Sequence, residues 1–95
     1  MEYSAEVSMR SETEGGRSKL KLFDGYRPHI KIGDGELLGI VFHSVPSSVP
    51  ANTTVEVKFR QSYPGAVDYS GIVVGVEFTI VEGARVVGGG LVTAT

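Results

Sequence analysis

The chain has 95 residues, 41% of them hydrophobic, with 9 Lys and Arg against 11 Asp and Glu and no cysteine. That length suits one domain spanning 1–95, and the missing cysteines exclude a disulfide framework and any thiolate metal site. A net charge of −2 argues against nucleic-acid binding by the whole surface but leaves room for a local basic patch. No apolar run approaches the roughly 20 residues of a membrane-spanning helix. The opening residues Glu2 to Glu6 are polar and acidic, where a secretory leader is basic and then apolar. The expectation is a soluble, cytoplasmic domain with no membrane partner.

In chain order the sequence reads as strand after strand. Tyr3, Ala5, Val7 and Met9 alternate with Glu2, Ser4, Glu6 and Ser8, the period-two pattern of a strand with one buried face. Arg10 to Ser18 is a polar loop around Gly15 and Gly16. Leu20 and Leu22 alternate with Lys19, Lys21 and Phe23, which predicts a strand ending at the turn signal Asp24-Gly25. After Pro28, which removes a backbone donor and suits an edge or the start of a strand, His29 to Ile32 alternates until Gly33-Asp34-Gly35 turns the chain. Leu37 to His43 predicts a more apolar strand, and Val45 to Asn52 a loop holding Pro46 and Pro50. Val55, Val57 and Phe59 against Glu56, Lys58 and Arg60 give the clearest alternation. Residues 61–71 form the longest irregular stretch.

The stretch Gly75 to Val92 closes the pattern. Val76, Phe78 and Ile80 oppose Glu77 and Thr79, a turn follows at Glu82-Gly83-Ala84-Arg85, and the return arm carries Gly88, Gly89 and Gly90 in a row. A glycine run inside a strand marks a bend, a bulge or another backbone passing close by. No stretch has helical spacing over a useful length. Short strands with turn residues between them predict an all-β barrel or sandwich, with Val55, Val57, Phe59, Val76, Phe78 and Ile80 sharing the core.

Catalytic signals are thin. His29 and His43 are the only histidines, and neither sits in a metal-ligand spacing. Gly15-Gly16-Arg17-Ser18-Lys19 lacks the spacing with which a phosphate loop wraps its ligand. The reading is no enzyme, no cofactor and no metal.

Three ordered motifs carry a resemblance. Glu14-Gly15-Gly16-Arg17, then Phe23-Asp24-Gly25-Tyr26-Arg27-Pro28, then Phe78 to Gly90 with Glu82-Gly83-Ala84-Arg85 at its centre resemble the C-terminal barrel of elongation factor Tu. That family reads E-G-G-R, F-x-G-Y-R-P-Q and F-A-I-R-E-G-G-R-T-V-G-A-G in the same order. The resemblance spans nearly the whole chain and implies a closed antiparallel β-barrel of about six strands, Greek-key-like. It implies a noncatalytic module of the translation machinery whose partner is a translation-related protein or the backbone of tRNA. The nucleotide-binding domain of that factor has no counterpart here, so no GTP binding by this chain is expected.

Carried over residue by residue, the resemblance marks Arg17, Arg27, His29, Glu82, Gly83 and Arg85 as partner-binding positions. Several family cations are replaced: the arginine before the hairpin turn by Val81, a strand arginine by Glu77, and others by Tyr63 and Ser18. Because phosphate contacts supply most nucleic-acid affinity, these replacements favour a protein partner. The segment from Tyr69 to Val73 looks inserted relative to the family. Arg27, between Tyr26 and Pro28, is expected to be held in an internal ion pair, and Tyr26 to pack at a barrel end rather than stack on a base.

Overall fold

A computed structural model describes residues 2–11, 22–47 and 49–95. Six strands follow one another: β1 (Glu2–Met9), β2 (His29–Lys31), β3 (Leu38–His43), β4 (Val55–Gln61), β5 (Glu77–Glu82) and β6 (Arg85–Ala94). They form a closed barrel in the order β1-β4-β3-β2-β5-β6, with β6 pairing back to β1 and every neighbour antiparallel. The fold is all-β, as the alternation predicts. Among the described residues no helix is long and apolar enough to cross a membrane.

Each strand turns its apolar set inward. Tyr3, Ala5, Val7 and Met9 of β1 are buried, as are Val57 and Phe59 of β4 and Phe78 and Ile80 of β5. Val55 and Val76, expected in the core with them, are only partly buried and pack against it. Phe59 is the hub of the interior. Its ring stacks on Tyr3 at 5.0 Å and meets Phe42 and Phe78 edge-on, each at 5.9 Å, geometries that follow the ring quadrupoles and add about 0.5–1.5 kcal/mol per pair beyond burial.

Two departures from simple alternation shape the wall. The pairing of β5 with β6 shifts between Ile80 and Val81, and both of these consecutive residues are buried. The extra residue of this bulge is Val87 on β6, between Val86 and Gly88, and such an insertion locally disrupts the ladder. The glycine run begins beside it, at Gly88 opposite Ile80, and answers to close approach. A Cβ on Gly90 would stand 2.5 Å from the tip of the Phe78 ring and 2.8 Å from the Glu6 carbonyl oxygen.

The strand expected around Leu20 and Leu22 falls largely on residues 12–21, outside the described residues. The described remainder is not strand: Leu22 is buried, Phe23 is exposed, and the chain turns at Asp24 and Gly25. Residues 25–28 instead run beside β3, where the Gly25 N–H donates to the Phe42 carbonyl, the Phe42 N–H to the Tyr26 carbonyl, and the Ile40 N–H to the Pro28 carbonyl.

Candidate binding surface

The strand order brings the motif residues together. Because β2 lies beside β5 and β5 beside β6, His29 pairs across from Val81, and Glu82 across from Arg85. Gly83, at the turn, has a φ of 59°, a left-handed conformation that glycine adopts without cost. The Tyr26 hydroxyl donates to Glu82 Oε2 at 2.6 Å, tying the start of β2 to the hairpin. Arg27, His29, Glu82, Gly83 and Arg85 therefore share one end of the barrel. Arg17 lies outside the described residues.

Two expectations about this end have definite outcomes. Tyr26 is buried and stacks on Phe42 at 5.9 Å, a packed barrel-end aromatic as expected. Arg27 is exposed, and among the described residues no ion pair reaches it, contrary to the expectation of an internal pair. The reason is local: Tyr26 and Pro28 on either side are buried, so the alternation turns Arg27 outward. The carboxylate of Glu82 meanwhile receives the hydroxyl of Tyr26.

Charge at this hairpin end is mixed among the described residues. Arg10, Arg27 and Arg85 are exposed, Glu82 is half-buried, and Asp24 accepts a hydrogen bond from the Val45 N–H at 2.8 Å. Val81, where the resembling motif has arginine, is buried. Phe23 is exposed and tilts over Tyr26 at 5.4 Å.

The opposite end is built otherwise. The connection 62–76 folds back over the barrel mouth and buries Tyr69 and Ile72 in the core. The Tyr69 hydroxyl donates to the Gly39 carbonyl at 2.6 Å and accepts from the Tyr63 N–H at 3.2 Å. Gly39 makes room for the Tyr63 ring, which a Cβ there would meet at 2.5 Å. Around this plug Leu37, Tyr63, Val73 and Val74 stay exposed, Val74 at 62%. In the motif reading Tyr63 enters only as the replacement of a family cation and Val73 as the end of the inserted segment, while Leu37 and Val74 escape it. The signal at Val73 and Val74 is that Ile72-Val73-Val74 sits between Gly71 and Gly75, too short a span to turn every apolar side chain inward.

Among the described residues no group of three or more His, Asp or Glu stands close enough to hold a metal ion. On the side wall, His43 Nε2 lies 3.0 Å from Glu2 Oε2, and Lys58 Nζ 3.6 Å from Glu2 Oε1, a cross-strand charge cluster spanning β1, β4 and β3. A scan against models of known protein families finds no match for this chain.

Proposed function

We propose that this chain is a noncatalytic binding module, a protein-interaction domain of the cytoplasm linked to the translation machinery. The observation that carries the reading is the end bearing Leu37, Tyr63, Val73 and Val74. Tyr63, Val73 and Val74 stand in solvent there on a loop pinned by the buried Tyr69 and Ile72, and Leu37 stands exposed on the β2–β3 connection at the same end. Exposed apolar side chains grouped on a fixed frame suit a protein partner, since burying them is the main gain on association. The likeness of the three motifs to the C-terminal barrel of elongation factor Tu supplies the class of partner.

The test is to pass purified translation factors and ribosomal subunits over the immobilised domain. The parent should retain one of them, and a variant carrying Leu37→Ser, Val73→Ser and Val74→Ser should release it. Equal retention by both would remove the apolar end from the proposal.

A second reading, tRNA-backbone binding, is favoured by one observation: Arg27, His29 and Arg85 share the hairpin end. Titration with aminoacyl-tRNA, deacylated tRNA and an unrelated hairpin at two salt concentrations decides it. Binding through so few cations is expected to be weak with a shallow salt slope. Negligible binding to all three at low salt would eliminate RNA.

A further inference from the structure

The glycine run of β6 serves the inside and the outside of the barrel differently. Gly88 and Gly90 are required by packing: a Cβ at Gly88 would lie 2.6 Å from the Ser8 carbonyl oxygen, and one at Gly90 2.5 Å from the Phe78 ring. Gly89 lies between them, and by strand alternation its Cβ would point to the other face. There it would meet only the Phe78 carbonyl oxygen, at 3.1 Å.

Above Gly89 the outer wall is hollow. Two adjoining depressions of about 340 and 310 Å³ share Ser8 and Gly89. Together they make a groove along β6, with Ser8 of β1 on one side and Thr79 of β5 on the other. Its floor is bare backbone. At one end stand Glu6, Leu91 and Glu77, and at the other Arg10 and Asn52.

The acidic end is uncompensated within the fold. Glu6 pairs directly across from Glu56 on β4, and Leu91 sits between Glu6 and Glu77. All three carboxylates are exposed, and no hydrogen bond or ion pair reaches them among the described residues. Like charges directly opposite each other on a sheet destabilise it. The nearby Lys58 is drawn instead to Glu2. The free domain thus carries an unfavourable charge row beside an open groove, and a cation brought by a partner would relieve it. Adjacent strands lie about 4.8 Å apart, so Glu6 and Glu77, two strands apart, are near enough to flank one cationic side chain.

The Gly75 N–H donates to the Val92 carbonyl at 2.8 Å, so the 62–76 connection meets β6 one residue beyond Leu91. We infer that this groove docks an extended, basic segment of a partner protein. The segment runs over Gly89, with a lysine or arginine side chain along Leu91 and between Glu6 and Glu77. The inference rests on the protein-interaction reading and gives the chemistry of the partner.

The experiment uses the whole chain and a capped five-residue peptide alternating glycine with lysine, followed by amide chemical shifts. Shifts should concentrate at Glu6, Ser8, Gly89, Leu91 and Glu77, and a matching glycine–glutamate peptide should cause none. Glu6→Gln with Glu77→Gln should weaken the lysine peptide about tenfold while raising the melting temperature slightly, since it relieves repulsion. Thr79→Trp should abolish binding by filling the groove with both acids in place. Shifts scattered over the surface, or undiminished binding by the double variant, overturn the inference. A domain that ignores the peptide yet retains a translation component through its apolar end overturns the groove alone. Groove binding without any such retention upholds the groove and defeats the broader reading.

Discussion

Two connections of the barrel, at opposite ends, are built by different means. At the hairpin end β5 and β6 are joined through Gly83 and Ala84 alone, and the tip carries polar and charged residues around the buried Tyr26. At the loop end residues 62–76 make the connection, sinking Tyr69 and Ile72 into the core and leaving Val73 and Val74 outside. A tight turn has no side chains to spare and needs only a backbone that can bend. A long connection must supply its own anchors against the entropy of ordering it, and apolar residues left over from that anchoring face solvent. The difference teaches which connection has apolar side chains to spare: the long one that anchors itself, not the tight turn.

Removing the plug should be the largest effect. Tyr69→Ala is expected to cost about 3–5 kcal/mol, the range for deleting a buried aromatic ring, read as a shift in the urea midpoint. A near-neutral midpoint would mean that the barrel mouth closes without its plug. Next in size are the two hydroxyls. Tyr69→Phe strips the Gly39 carbonyl of a buried donor and should cost about 1–3 kcal/mol. Tyr26→Phe breaks a part-exposed bond to Glu82 and should cost about 1 kcal/mol. Reversal of that order would show that the hairpin end, not the loop end, is the more tightly fastened.

Surface changes should separate stability from binding. Leu37→Ser, Val74→Ser and Arg27→Ala are each expected to stay within about 0.5 kcal/mol of the parent in thermal melts. Only the first two should alter retention of a protein partner. Loss of that partner with Arg27→Ala alone would move the site to the hairpin end.

The smallest effect concerns Asp68. Its pKa is lowered from the ordinary 3.8, first by the Ser70 backbone N–H and then by the Ser70 side chain, against a small opposing effect of burial. A carboxylate depressed on folding stabilises fully above its ordinary value and loses that contribution as pH falls through the lowered one. Asp68→Asn should therefore abolish a small acid-sensitive step, seen as changed tyrosine emission of the loop below about pH 4. An unchanged acid titration would show that the Asp68–Ser70 turn does not steady the loop.

How much of this was legible from the residues follows from which forces are local. The alternation of Val55 to Phe59 and the turn at Gly83 report strand and hairpin directly, because period two and left-handed backbone depend on a few adjacent residues. The burial of Val81 next to the buried Ile80 is not legible from alternation, and it lies beside a shift in pairing that no single strand encodes. Tyr69 reads as irregular chain and Ile72 carries no assignment, since plugging a barrel mouth depends on strands far away in sequence. The motif residues Arg27, His29, Glu82 and Arg85 could be named one by one. Their meeting at one end required knowing that β2 lies between β3 and β5. The outward turn of Arg27 was knowable in principle from Tyr26 and Pro28, had the alternation been extended through the proline.

The brevity of β2 has a consequence for how the closed wall breathes. Its own pairs with β3 are only His29 opposite Gly39 and Ile30 opposite Leu38, extended by the bonds of residues 25–28 to Ile40 and Phe42, and Pro28 just before it has no N–H to donate. Opening free energies vary across a fold, and the least fastened unit parts first. Amide protons of Ile30 and Lys31 should exchange with solvent faster than those of Ala5 and Val57, which are held by the longer β1–β4 ladder. Arg27 and His29 thus ride on the stave of the barrel that loosens before the others.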